Sequence, residues 1–159
     1  MPSAPNFSRR NIVPPQNIEV EEALLGGILL DPEALSRVAD KLLPDAFYVL
    51  THEIIYKALL DLSLQGLPTD LIATTDYLID KNQLQQVGGQ AKLIQLLERT
   101  VSAVNIDSLA RLVMDKYLRR ELIKVGSEVT DLGYSTELTL QSVFDESNSI
   151  SAADRKSVV

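Results

Sequence analysis

Apolar residues along this chain recur at spacings of three and four, the period of a single buried helix face. From Ile18 onward, Leu24, Leu25, Ile28 and Leu29 mark the first such face. Glu19, Glu21 and Glu22 occupy its first turn, where the helix dipole favours anions. Asp31-Pro32-Glu33 predicts a restart, with Asp31 as N-cap and Pro32 at the first helical position. The short helix that follows runs through Lys41, and Pro44 stops it. A third helix is predicted from about Thr51 to Gln65, with Ile54, Ile55, Ala58, Leu59 and Leu62 inward and Gly66 as a left-handed C-terminal cap. Pro68-Thr69-Asp70 opens a fourth, to about Asp80, with Leu71, Thr75, Leu78 and Ile79 inward. Gly88-Gly89 breaks the next stretch, and a fifth helix carries Leu93, Leu96 and Leu97. Period-two alternation is never sustained, so the chain reads as all-α.

The last third has a different grain. Residues 105 to about 132 contain no Pro and one Gly, Gly126. Such a run makes a helix about 40 Å long, well beyond the usual globular helix. Gly133 ends it, and Ser135-Thr136-Glu137 has the form of a cap for a returning helix with Leu138, Val143 and Phe144 inward. The predicted fold is a compact helical bundle followed by a projecting antiparallel helical hairpin.

The long helix changes face midway. Ile106, Leu109, Val113 and Tyr117 share one stripe. Leu118, Leu122, Val125, Val129 and Leu132 follow a 4-3-4-3 spacing, the period of a coiled-coil seam. At about 100° per residue the two stripes point roughly 140° apart. The first half therefore packs on the bundle, and the second on the returning helix or on a second copy of the chain. The expected organisation is a flexible N-terminal arm over 1–16, a bundle over 17–104, a hairpin over 105–148 and a disordered tail over 149–159.

Composition narrows the chemistry. The chain carries 15 basic and 22 acidic residues, a net charge of −7 and no Cys. Zero Cys excludes disulfides, thiolate zinc sites, iron–sulfur clusters and a Cys nucleophile. Residues 18–104 hold 13 acids and 6 bases, which opposes direct DNA binding by the bundle. Arg9 and Arg10 lie in a Pro-containing arm that reads as solvated tail rather than nucleic-acid arm. The longest apolar run, Ala23 to Leu30, is far short of a membrane span. A soluble cytoplasmic or plastid-stromal chain is the expectation.

Catalytic signatures are missing. No Gly-rich turn ends in Gly-Lys-Ser/Thr, so no phosphate cradle is predicted, and Gly88-Gly89 reads as a turn. Gly26-Gly27, inside an apolar helix, predicts close helix–helix contact. His52 is the sole imidazole; without a His-Glu-x-x-His or Gly-x-Ser-x-Gly motif it is expected to cap or line the third helix. No metal or cofactor site is predicted. Lys116, Arg119, Arg120 and Lys124 fall on one side of the long helix, opposite the seam. They form either a docking face for an acidic partner or for nucleic acid, or a solvated face balanced by Asp115, Glu121 and Glu128, and the even charge of residues 105–134 favours the solvated face. A helical nucleic-acid-binding regulator would need a basic recognition face, and a small helical enzyme a polar pocket with a perturbed acid or base; neither is evident. The residues thus describe an interaction or assembly module.

Several strings then carry a resemblance. Ile18-Glu19-Val20-Glu21-Glu22-Ala23-Leu24-Leu25-Gly26-Gly27-Ile28-Leu29-Leu30-Asp31 resembles the opening helix of the replicative DNA helicases of the DnaB family. Leu43-Pro44-Asp45-Ala46-Phe47-Tyr48, His52, Ile55-Tyr56, Gly66-Leu67-Pro68-Thr69-Asp70, Val87-Gly88-Gly89, Ser102-Ala103-Val104-Asn105-Ile106 and Tyr117-Leu118-Arg119-Arg120-Glu121-Leu122-Ile123 follow in the same order. The ordered set covers roughly residues 12–148, resembles the N-terminal domain of that family, and has a cyanobacterial or plastid flavour.

The resemblance implies a helical domain whose hairpins pair between subunits and form a collar above a hexameric motor ring. It implies primase docking on the collar and its hairpins, and helicase loaders acting on the assembled helicase. It places the ATP- and Mg-dependent motor in a part of the family's chains not present here, so no catalysis is expected from these residues alone. Candidate self-association and docking residues are Leu118, Leu122, Val125, Val129, Leu132, Leu138, Val143 and Phe144, with Arg119 and Arg120 from the basic side.

Overall fold

The computed structural model describes residues 12–158, with the side chains of 12–153. Its helices are α1 (Ile18–Leu30), α2 (Glu33–Val38), a 3-10 turn (Pro44–Ala46), α3 (Leu50–Leu64), α4 (Leu71–Asp80), α5 (Gly89–Glu98), α6 (Ile106–Gly133) and α7 (Leu140–Val158). Among the described residues there is no strand. The fold is all-α, as the periodicity predicts.

Local chemistry sets most of the helix ends. Asn17 caps α1 by accepting the Val20 N–H at 3.1 Å, and Asp70 caps α4 by accepting the Ala73 N–H at 2.9 Å. Asp31 Oδ1 accepts the Glu33 N–H at 3.1 Å ahead of α2, with Pro32 already helical at φ −56°. That helix ends at Val38, sooner than Lys41, because the following residues tighten into turns that bury Leu42. Gly66, at φ +72°, closes α3: its N–H reaches Ser63 O at 3.0 Å and the Leu67 N–H reaches Leu62 O at 2.9 Å. Asn82, at φ +55°, closes α4 by the same pair of bonds, to Ile79 O and Leu78 O.

The core is organised around α1, which packs on α2, α3, α5 and α6. Leu24, Leu25, Ile28 and Leu29 are all buried, joined by Ile55, Tyr56, Leu59, Leu78, Leu93, Leu96 and Ile106. Each such side chain contributes about 1.5–3 kcal/mol on burial. Gly26 and Gly27 make the contact possible. A Cβ on Gly26 would collide with the Leu96 carbonyl and Thr100 Oγ1, and one on Gly27 would come within 3.0 Å of Ile106 Cδ1. The expectation of close helix contact at this pair is met.

Three expectations need correction. Ile79 is 51% exposed, because Leu71, Thr74, Thr75 and Leu78 fill the inward face of α4 and Ile79 falls just beyond it. The returning helix begins at Leu140, not near Ser135. The Ser135 N–H is used to close α6 on Leu132 O at 3.1 Å, so Thr139 serves as the cap, its Oγ1 accepting the Ser142 N–H at 3.2 Å. Finally, α7 continues to Val158 where a disordered tail over 149–159 was expected. No Pro or Gly interrupts that stretch, and Ile150 and Ser151 extend the half-buried row begun by Ser142, Val143 and Ser147. Of the expected flexible arm over 1–16, residues 1–11 lie outside the described residues; the carbonyl of Pro15 is bonded to Arg120.

Candidate docking surface

The last buried residue of α6 is Tyr117, and the hairpin leaves the bundle beyond Arg120. Ile106, Ala110, Val113 and Tyr117 are the buried residues of α6, with Leu109 packed against the core. Beyond Tyr117 no residue of α6 is buried, and no described side chain of α7 is. The face switch expected from sequence therefore occurs where the helix leaves the bundle. From there α6 packs on α7.

Beyond Leu118 the 4-3-4-3 seam divides into two fates. Val125 and Leu132 are half-buried, as is Val143 on α7. Leu122, one step before Val125, is 72% exposed, and Val129 is exposed beside it at the i, i+7 spacing. On α7, Leu140 is 73% exposed and Phe144 57%, four residues apart on one face. Leu138 precedes α7 and is exposed rather than inward, because the helix starts after it. Phe144 also faces outward rather than inward, since Val143 and Ser147 take the inward row of α7. The returning helix covers one of the two alternating rows of the seam and leaves the other open. Leu118 belongs to neither: it packs against the bundle core and lines an open groove of about 580 Å³ between α2 and α6.

That groove has mixed charge, with Lys41 and Arg111 against Asp107 and Asp115 over Val38 and Met114. The Arg37 guanidinium bonds Asp107 and holds its carboxyl below the usual carboxylate range. The two candidate arginines separate. Arg119 is exposed and bonds Asp115 one turn away at 2.9 Å. Arg120 is half-buried and bonds two backbone carbonyls, so its charge is engaged inside the fold rather than offered to a partner.

Sequence reasoning missed the polar centre of the bundle. Glu21 is buried and accepts the Tyr48 N–H at 2.8 Å, the Val49 N–H at 3.3 Å and a bond with His52 Nδ1 at 2.9 Å. His52 thus lines the start of α3, as expected, with a partner on α1. The available signal was that Glu21 shares the helix face of Leu24, Leu25 and Ile28. Glu22, next to it, meets Lys92 at 3.4 Å and Arg99 at 3.3 Å, tying α1 to α5. Tyr56 donates to Leu42 O at 2.8 Å, and burial pushes its phenol up. These contacts are structural. Among the described residues no group of three or more His, Cys, Asp or Glu is placed to hold a metal, and no helix is long and apolar enough to cross a membrane.

Comparison with known proteins gives this architecture its context. Residues 13–115 match the family described as DnaB-like helicase N terminal domain. The replicative DNA helicase DnaB of a Nostoc species is 58% identical over 136 residues; the match covers 86% of this chain and 16% of that protein. The crystal structure of the N-terminal domain of DnaB helicase from Mycobacterium tuberculosis matches with a TM-score of 0.82 and 31% identity, covering 87% of this chain and 97% of that one. The structure of a DnaB-like replicative helicase, solved with its interactions with primase, shares the fold at a TM-score of 0.65 and 23% identity, covering 84% of this chain and 31% of that one. The match to the family spans the bundle and enters α6, and a relative of the same extent has the same fold: this chain belongs to the DnaB-like helicase N-terminal domain family.

Proposed function

We propose that this chain is the collar module of a replicative DNA helicase, pairing with a second copy through its hairpin and offering the paired surface to primase. The observation that carries the proposal is the uncovered half of the seam, Leu122 and Val129 on α6, together with the exposed Leu140 and Phe144 on α7. Exposed apolar rows at helical spacing favour a contact site over solvated surface. A second hairpin laid along them supplies the knobs that α7 does not. Support for primase as the partner comes from the fold relative described together with primase. In the complete helicase the ATP- and Mg-dependent unwinding belongs to a motor outside these residues, and the acidic bundle makes little direct contact with DNA. The assembled helicase is also where a loader would act, in the cytoplasm or plastid stroma.

The test is a calorimetric titration of this chain with the C-terminal helicase-binding domain of its cognate primase. Saturable binding that is lost in Leu122→Asp and Phe144→Asp supports the proposal. Absence of heat and of a complex at high concentration counts against docking by this module.

A further inference from the structure

Arg120 joins three parts of the chain at the point where α6 leaves the bundle. Its Nη1 donates to the Pro15 carbonyl at 2.9 Å and its Nη2 to the Ala46 carbonyl at 2.7 Å. The guanidinium carbon lies 5.5 Å from the ring centre of Tyr48 and 5.9 Å from that of Tyr117. Pro15 precedes α1, Ala46 ends the 3-10 turn, and Tyr117 is the last buried residue of α6. One side chain thus ties the N-terminal segment and the 3-10 turn to the last turn of α6 that touches the bundle.

We propose that Arg120 is a positioning residue: it pins the angle at which the hairpin leaves the bundle, with the segment through Pro15 as a strap across the helix root. The chemistry needs Arg. Its donors form a rigid planar fork that can reach two carbonyls at once while its faces meet aromatic rings, whereas Lys is a flexible point charge. Among the described residues the side chain of Arg119, one residue earlier, bonds only Asp115 of its own helix. Beyond Arg120 α6 is continuous to Gly133, so the root sets where the tip lies. A tilt of about 15° at Arg120 displaces the tip by about 5 Å over the roughly 20 Å of helix beyond it. What the angle does for pairing rests on the collar proposal; the pin itself does not.

The chain has no Cys, so Ser63→Cys and Ser127→Cys, both at exposed positions, place spin labels on bundle and hairpin alone. Double electron–electron resonance is read with labelled chain diluted into excess unlabelled chain, and amide exchange in α1 and α3 reports the bundle. The parent and Arg119→Ala are expected to give one narrow distance distribution. Arg120→Ala and deletion of residues 2–15 should each broaden it about twofold with α1 and α3 still protected, and Arg120→Lys should not restore it. Parent mean and width in both Arg120→Ala and the deletion would overturn the proposal. If Arg120→Ala unfolds the bundle, the deletion decides: broadening supports the pin, and the parent distribution overturns it.

Discussion

His52 Nδ1 lies 2.9 Å from Glu21 Oε1, both side chains are buried, and the pair joins the first turn of α3 to α1. Val49, the N-cap of α3, supplies no side-chain bond of its own. The Glu21 carboxylate does so across 27 and 28 residues, by accepting the N–H groups of Tyr48 and Val49. A carboxylate at a helix N-terminus is also favoured by the dipole. Glu21→Ala removes the acceptor of the part-buried Tyr48 and Val49 N–H groups and leaves the buried His52 ring nitrogen without its partner, and a buried polar group left unpaired costs about 1–3 kcal/mol. The expected loss of stability is about 1–3 kcal/mol, as for a buried hydrogen-bonding group left without its partner. Urea denaturation checks it: the midpoint should fall with an unchanged slope, whereas a near-parent midpoint would contradict the cap.

Gly26 and Gly27 should respond unequally to a methyl group. At Gly26 the clash is with the Leu96 backbone, which cannot swing aside; at Gly27 it is with the flexible end of Ile106. Gly26→Ala should destabilise by about 1–3 kcal/mol or more, as overpacking does, and Gly27→Ala by less. Thermal melts of the two variants check the order. A Gly27 variant less stable than the Gly26 variant would mean that α1 and α5 are not in backbone contact.

The Arg37–Asp107 pair predicts a pH dependence with a definite sign. Arg37 lowers the Asp107 carboxyl relative to the unfolded chain, so the unfolded state binds the proton more readily. The stabilisation is complete above the ordinary carboxylate range and is lost as pH falls through the lowered value. Asp107→Asn should therefore flatten the fall in stability below about pH 4, and added salt should narrow the gap between variant and parent. Identical pH profiles for the two would contradict the pair.

Much of the fold was legible because its signals are local. Asn17, Asp31, Asp70 and Gly66 act within a few residues of themselves, and the burial of Leu24, Leu25, Ile28 and Leu29 follows from helical spacing. Long-range chemistry was not legible. Glu21 looked like an ordinary first-turn acid, and its role depends on a chain segment 27 residues away. Arg120 looked like a member of a surface cluster, and its two carbonyl partners are 105 and 74 residues off. The start of α7 was misplaced because Ser135 and Thr139 both have capping chemistry, and the choice is made by how α6 ends. For the candidate surface, spacing located the seam but could not say which of its two rows α7 covers.

Leu122 is the position on which the account of the docking surface turns. Sedimentation equilibrium across a wide concentration range, comparing the parent with Leu122→Asp, measures it directly. The account predicts a concentration-dependent dimer for the parent and a shift toward monomer for the variant. At a paired seam the loss of one well-buried leucine is worth about 2–5 kcal/mol. A concentration-dependent mass that the substitution leaves unchanged, or a parent that stays monomeric throughout, would contradict it.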